Sequence, residues 1–271
     1  MSSCSMLSID AQEPMIASTL EHIHHWVLVE QPKAWPARPS IEDLDVTQLQ
    51  RTMIVQALKK EGTRLQWIRN SSSTSNRIFL CTDNRLYVVN NQTQVLIPEQ
   101  MTPYDLSLVL VCTHGSRDRC CGKLGGAIYA KAHKKSPEQV WQASHLGGHR
   151  FAPTLLVLPQ GMMYGRIEKD DIPAMLSHPS HTPFSCDRLR GVPKWPKEVQ
   201  TAAHTLWKKE SIPVQSFSST STSSNTWDVS LTSDQSTTLY RVSKESLGIS
   251  IPASCGDTKE KELYRYICTP V

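Results

Sequence analysis

Apolar runs bounded by polar turns dominate the first hundred residues and predict strands around one helix. The run HHWVLVEQP (24–32) is typical of a buried strand that ends at a proline. Apolar residues at helical spacing over 44–58 predict a helix, with Ser40 and Asp43 as the capping box at its start. Further strands are predicted over 64–69, 77–82 and 85–90. Residues 1–100 are therefore predicted to form an N-terminal α/β domain whose first twenty residues are partly loose.

A different order of elements follows over residues 101–185. The pattern predicts a strand, a helix, a strand, a hairpin and a helix, at 105–112, 122–134, 140–144, 154–167 and 170–177. A strand–helix–strand unit followed by a hairpin and a helix is the thioredoxin-like order. The predicted fold class is thus α/β, with a thioredoxin-like domain packed on the N-terminal domain.

Residues 186–271 are predicted to form a small C-terminal α+β extension. Two prolines introduce a helix over 197–210, because proline is tolerated in the first turn of a helix. The Lys/Arg-rich run 188–209 is interpreted as a solvated helix face. The serine-rich segment 216–225 is predicted to be a linker or a mobile loop. The strands of a small terminal sheet are expected over 227–231, 239–242 and 264–268.

Composition and charge narrow the classes of function. The chain has 271 residues and a formal net charge of +4, and its basic residues are mostly scattered, which argues against nucleic-acid binding. No apolar run approaches the length that crosses a membrane, and the N-terminus does not resemble a signal peptide. Eight cysteines are too few for a disulfide framework in a chain of this length. We therefore expect a cytoplasmic protein whose clustered cysteines bind metal or carry redox chemistry.

The candidate chemistry lies between residues 112 and 166. Three cysteines, Cys112, Cys120 and Cys121, precede an H-x3-H unit formed by His145 and His149. Thiolates and imidazoles in this combination bind either zinc or an iron–sulfur cluster. The spacing fits neither the usual zinc finger nor a complete Rieske motif. Whether Cys120 or Cys121 is the second thiolate ligand stays open on the residues alone.

The same stretch resembles the sucrase/ferredoxin-like family, which includes thioredoxin-like [2Fe–2S] ferredoxins with bis-histidine ligation. The resembling segments are 13–14, 26–32, 111–121, 140–167, 195–200 and 254–256. The resemblance implies that residues 101–185 form a ferredoxin domain with Cys112, Cys121, His145 and His149 as cluster ligands. It further implies a [2Fe–2S] cofactor, a soluble electron-transfer role and a redox partner protein. Positive side chains at Arg117, Lys123 and Arg150 are expected to stabilise the reduced cluster or to guide an anionic partner.

Two other hypotheses remain beside the electron carrier. The first is a zinc-stabilised structural or binding module, and the second is a thiol-based redox protein that uses Cys120 and Cys121. An electron carrier is favoured over an enzyme, because no carboxylate pair for glycoside hydrolysis is evident and no catalytic residue is predicted. His114, Arg117 and Asp118 either orient the ligands or form a solvated loop closed by an Arg–Asp pair. The remaining cysteines are interpreted as isolated thiols: Cys4, Cys81, Cys186, Cys255 and Cys268.

Overall fold

Helices and strands account for most of the chain in the computed structural model, which describes residues 3–72, 76–177, 181–234, 236–255 and 259–271. The α-helices in these ranges are α1 (Cys4–Asp10), α2 (Gln48–Leu58), α3 (Gly126–Lys135), α4 (Ile172–Ser177) and α5 (Lys197–Lys209). The first seven strands are β1 (His25–Glu30), β2 (Thr63–Arg69), β3 (Ile78–Thr82), β4 (Arg85–Val88), β5 (Thr102–Pro103), β6 (Leu108–Cys112) and β7 (Val140–Ala143). The others are β8 (Leu155–Leu158), β9 (Met162–Tyr164), β10 (Leu189–Gly191), β11 (Ser216–Ser223), β12 (Thr226–Thr232), β13 (Thr237–Pro252) and β14 (Glu260–Pro270). The α/β class predicted from the sequence is confirmed.

One mixed sheet runs through the predicted N-terminal and thioredoxin-like domains and also takes in β10 from the predicted C-terminal extension. Its strand order is β10-β9-β8-β6-β7-β2-β1-β3-β4-β5. Strand β1 pairs in parallel with β2 and antiparallel with β3, which builds the N-terminal half. Strands β2 and β7 pair antiparallel and join this half to the next one. The two halves therefore meet edge to edge, through backbone hydrogen bonds of a single sheet.

The second half of the sheet has the thioredoxin-like strand order. Strands β6 and β7 are parallel and are connected by α3, whereas β8 pairs antiparallel with both β6 and β9. All five residues of β6 are buried because both faces of the sheet are covered. Val109 and Val111 face the core that contains α3 and α5, while Leu110 and Cys112 face the opposite core. This alternation carries the Cys112 side chain to one defined face of the sheet.

Helix α5 connects the large sheet to the C-terminal sheet, whose order is β11-β12-β13-β14. Its residues Val199, Ala203 and Leu206 are buried in one core together with Val229 and Val242 of the small sheet. The extension is thus part of the main hydrophobic core. Within the described ranges, none of the helices has the length and apolar character needed to cross a bilayer.

The interpretation of residues 216–225 as a linker or mobile loop is wrong. Strand β11 pairs antiparallel with β12 along its length, starting at Ser216 opposite Thr232. The hydrogen bonds between β11 and β12 join backbone N–H and C=O groups and do not depend on the side chains. A serine-rich segment can therefore form a strand when the edge of a neighbouring strand is available for pairing. Serine and threonine can fill most of this strand because it lies at the exposed edge of the sheet.

Two local predictions near the N-terminus are also corrected. The second helix begins at Gln48, where Thr47 and Gln50 form the capping box. Ser40 and Asp43 instead close a separate turn, in which the backbone N–H and hydroxyl of Ser40 both donate to Asp43 Oδ2. The first twenty residues include α1, which the sequence pattern missed because its buried face consists of small polar residues and a cysteine.

Candidate metal centre

The two cysteines of the site come from the end of a strand and the start of a helix. Cys112 is the last residue of β6, and Cys121 opens a π-helical turn that leads into α3. A Cβ atom on Gly125 would lie 1.9 Å from the carbonyl oxygen of Cys112. Only glycine therefore lets this turn approach the strand end so closely. Both thiols are almost completely inaccessible to solvent, with 0% of Cys112 and 1% of Cys121 exposed.

The two histidines come from the loop that follows β7. Gly147 and Gly148 adopt φ values of +91° and +69°, which non-glycine residues rarely occupy. This backbone path brings the rings of His145 and His149 into a stacked arrangement, with centroids 5.3 Å apart. The H-x3-H unit thus presents both imidazoles on one side of the loop.

Three of the four sequence-predicted ligands lie in one compact group. The ligand atoms of Cys112, Cys121 and His145 are all within 4.8 Å of one another. Within this group, Cys121 Sγ is 3.9 Å from His145 Nδ1. His149 lies beside the group, stacked on His145, and is not one of its members. The geometry is therefore a cluster of three residues with a fourth at its edge.

His149 has a buried ring nitrogen that finds no hydrogen-bond partner among the described residues. Its Nε2–H donates to the carbonyl oxygen of Ala253 at 2.7 Å, which leaves Nδ1 with a free lone pair. The nearest acidic atom, Asp118 Oδ2, is 3.9 Å from Nδ1. An unsatisfied buried acceptor costs about 1–3 kcal/mol. A metal ion at Nδ1 would remove this cost, and the donor set of two thiols and two imidazoles fits either iron or zinc.

His114 holds the histidine loop in place. Its Nε2–H donates to the carbonyl oxygen of Pro36 at 2.9 Å, and its Nδ1 accepts the backbone N–H of His145 at 3.0 Å. Burial lowers the pKa of His114, so the neutral ring that makes both bonds is the stable form. Asp118 is likewise buried, whereas Arg117 is exposed. The alternative of a solvated loop closed by an Arg–Asp pair is therefore wrong, and His114 orients the backbone of a predicted ligand.

Electrostatics at the site favour a thiolate. The pKa of the Cys112 thiol lies well below its usual value, first because Cys121 hydrogen-bonds to it and second because His145 does. Arg190 approaches the same loop and is 1% exposed. Its guanidinium donates to the carbonyl oxygens of Gly147 and Ser18, at 3.0 and 2.6 Å. Burial lowers the pKa of Arg190 to about 10, so it still carries a positive charge at neutral pH.

The sequence pattern missed Arg190 and misjudged Arg150. Arg190 lies on β10 within the Lys/Arg-rich run, and the interpretation of that run as a solvated face is wrong at this residue. Arg150 is buried and pairs with Glu13 through its Nε and Nη2 atoms. Its charge is therefore offset by a carboxylate, whereas Arg190 donates only to neutral groups among the residues that the structure describes. The sequence did contain a hint of the Arg150–Glu13 pair, because Glu13 belongs to the family-like segment 13–14. In the structure Glu13 is buried.

The other cysteines separate into a second group and three scattered thiols. Cys120 points away from Cys112 and lies with Cys4, Cys255 and Asp118. The interpretation of Cys4 and Cys255 as isolated thiols is therefore wrong. Cys81, Cys186 and Cys268 belong to neither group. Gly256, part of the resembling segment 254–256, lies outside the described residues.

Comparisons with known proteins place the same region of the chain in one family. The family model described as Sucrase/ferredoxin-like matches residues 16–191. Two curated relatives are both named "Altered inheritance of mitochondria protein 32". The protein from Meyerozyma guilliermondii is 32% identical over 75 residues, which cover 24% of this chain and 27% of the relative. The one from Clavispora lusitaniae is 31% identical over 81 residues, covering 27% and 30%. The matches thus span less than a third of either relative, and no solved structure matches the chain.

Proposed function

The chain belongs to the sucrase/ferredoxin-like family, and we propose that it is an electron carrier holding a [2Fe–2S] cluster on Cys112, Cys121, His145 and His149. The observation that carries the proposal is the lone pair of His149 Nδ1, which is buried without a partner beside two thiols and an imidazole. When bound, such a cluster supplies a one-electron redox centre.

The separation of His149 from the compact group of Cys112, Cys121 and His145 supports a binuclear cluster over a single zinc ion. A tetrahedral zinc ion requires four ligand atoms at roughly equal separations around one point. Cys112, Cys121 and His145 supply three ligand atoms at similar separations, but His149 lies outside their group and does not supply the fourth. A two-iron cluster distributes its ligands over two metal atoms, so one ligand can lie further from the others. The thiol-based alternative loses support because Cys120 and Cys121 belong to different groups.

Two features of the chain suit a centre that gains and loses negative charge. Arg190 is a buried cation that has no direct acidic partner within the described ranges, and its charge favours the more negative, reduced state. The Nε2–H of His149 donates to the Ala253 carbonyl, and 15% of the side chain is exposed. This N–H is the proton that the imidazole would release when the centre is oxidised at high pH.

The redox partner is proposed to be an acidic protein that docks near His149. A cleft of about 470 Å³ opens beside this residue, and Lys244 and Lys261 line it together with Glu262 and with Lys197, which pairs with Glu21. The cysteines are buried, so the histidine edge offers the shorter path to the surface. Positive side chains around that edge would attract a partner of opposite charge. The compartment stays a prediction, since the sequence predicts the cytoplasm and the name of the two relatives concerns mitochondria.

The test is to determine which metal the anaerobically purified protein contains. We expect a red-brown protein with two irons and two labile sulfides per chain, and an EPR signal after one-electron reduction. Cys112→Ser and Cys121→Ser should abolish the colour, whereas the control Cys268→Ser should keep it, because Cys268 lies in neither cysteine group. A colourless protein whose zinc is lost in Cys112→Ser would refute the proposal in favour of a zinc module.

A further inference from the structure

A second cluster of potential ligands lies next to the first and draws on three distant segments of the chain. Cys4 begins α1, Asp118 and Cys120 lie in the loop before Cys121, and Cys255 follows β13. The ligand atoms of all four residues are within 4.8 Å of one another. The sulfur atoms form a nearly regular triangle, with Cys4–Cys120 at 3.6 Å, Cys120–Cys255 at 3.4 Å and Cys255–Cys4 at 3.2 Å.

Simple apolar packing does not account for this arrangement. Among the described residues, Ala152 is the one buried apolar member of the local cluster besides Cys4 and Cys120, and Leu124 packs against it partly buried. A carboxylate also points into it, with Asp118 Oδ2 at 4.0 Å from Cys4 Sγ, although Asp118 is only 4% exposed. Burying a carboxylate beside three thiols is unfavourable unless a cation or strong donors compensate it.

We propose that Cys4, Asp118, Cys120 and Cys255 bind one Zn²⁺ ion in a structural site. Three thiolates and a carboxylate form a closed set of four donors of the types that zinc accepts. Zinc–sulfur bonds of about 2.3 Å place tetrahedral sulfur ligands roughly 3.8 Å apart. The sides of the observed triangle, at 3.6, 3.4 and 3.2 Å, therefore need to open by about 0.2 to 0.6 Å. The inference is independent of the proposed electron-transfer function.

Donors around the sulfurs and the carboxylate are arranged as the outer groups of a metal site commonly are. The backbone N–H of Cys4 donates to Cys255 Sγ at 3.4 Å, and the Ser5 hydroxyl donates to Cys120 Sγ at 3.4 Å. The backbone N–H of Cys120 donates to Asp118 Oδ1 at 2.9 Å. Oδ2 faces the thiols and, from N–H and O–H donors among the described residues, accepts only two long bonds, from the Ser254 hydroxyl at 3.4 Å and the Cys255 backbone N–H at 3.5 Å. Such bonds fix the orientation of ligands and stabilise their charged forms.

The ion would fasten both ends of the chain to the loop that carries Cys121. Helix α1 has seven residues and leaves Met6 and Ile9 about half exposed, so helix propensity and apolar burial hold it weakly. A structural zinc ion contributes its binding energy directly to folding. Because Ala253 accepts the bond from His149, the same ion would also steady the edge of the neighbouring centre.

Zinc content measured on matched variants tests this site. We expect one zinc per chain, by elemental analysis and native mass spectrometry, in the wild type and in Cys268→Ser. Cys255→Ser should lose the zinc and keep the iron, whereas Cys112→Ser should lose the iron and keep the zinc. Cys268 is the matched control because, like Cys255, it is a partly exposed cysteine of the C-terminal region outside the first centre.

Several results would overturn the inference. One is a wild type without stoichiometric zinc, and another is zinc that disappears in Cys112→Ser but persists in Cys255→Ser. A third comes from alkylation of the denatured, unreduced wild type, where six reactive thiols in place of eight would show a disulfide. The wild-type measurements decide the question even if Cys255→Ser fails to fold. Loss of iron alone would affect only the proposed electron-transfer function.

Discussion

Gly125 and Gly126 provide a matched pair of substitutions at the base of the proposed cluster site. Both residues have helical backbone angles, with φ values of −66° and −57°, so neither position needs glycine for its conformation. A Cβ atom on Gly126 would meet nothing within 4 Å, whereas one on Gly125 would lie 1.9 Å from the Cys112 carbonyl oxygen. The two alanine variants therefore differ in whether the new methyl group meets the backbone of Cys112 and Thr113.

The size of the effect follows from this contact. An alanine in place of a helical glycine stabilises by up to about 1 kcal/mol, and Gly126→Ala should show that gain. Gly125→Ala has the same gain, but the strand end and the turn must separate by about 1.5 Å to reach an ordinary 3.4 Å contact. Overpacking of this kind costs about 1–3 kcal/mol, and rigid backbone as the partner favours the upper end. We expect Gly125→Ala to be less stable than Gly126→Ala by about that amount, or roughly 2–10 °C in apparent melting temperature.

Thermal unfolding followed by circular dichroism measures the stability difference, and iron content measures the effect on the site. The separation moves Cys112 away from Cys121, so Gly125→Ala should also retain less iron than Gly126→Ala. Equal melting temperatures and equal iron content in the two variants would refute the close approach of the turn to the strand end. They would also remove the reason for a glycine at this position.

Three further predictions address charge and protonation. His149→Cys should keep a cluster but lower its reduction potential and flatten the dependence of the potential on pH, as measured by protein-film voltammetry; an unchanged potential would remove His149 from the ligand set. Lys244→Glu with Lys261→Glu should slow reduction by the anion dithionite several-fold at low salt and leave reduction by a viologen cation unslowed, because both side chains line the cleft beside His149. Equal slowing by both reductants would contradict a charge effect. Burial lowers the pKa of His204 below its ordinary 6.5, with its Nε2–H donating to the Cys186 carbonyl. The unfolded chain then binds more protons on acidification, so stability is present above pH 6.5 and is lost below it, and His204→Gln should reduce this loss in melting curves.

Much of the thioredoxin-like half could be predicted from local sequence pattern. Apolar runs ending at Cys112 and at the residues before His145 predicted the two strands that carry the site. These features depend on interactions between near neighbours, which leave a periodic signal. The close grouping of Cys112, Cys121 and His145 follows from parallel strands β6 and β7, whose carboxyl ends meet at one sheet edge.

Side-chain direction explains why the residues alone did not show whether Cys120 or Cys121 joins Cys112 at the site. Adjacent residues at the start of a helix point about 100° apart, and the sequence contains nothing that orients the turn relative to the strand. In the structure, the close packing of Gly125 on Cys112 sets this orientation. Cys121 then faces the first group and Cys120 the second.

By itself, the sequence determined the fold class, the strand–helix–strand–hairpin order and the family to which the chain belongs. Only the tertiary structure decided that Cys4 and Cys255, at opposite ends of the chain, meet at Cys120, and that Arg190 is buried behind the histidine loop. It also decided that the serine-rich segment is a strand, because its partner supplies the hydrogen bonds. The physical reason is common to these cases: contacts between distant segments depend on how the sheet is assembled and leave no periodic pattern in the residues that make them.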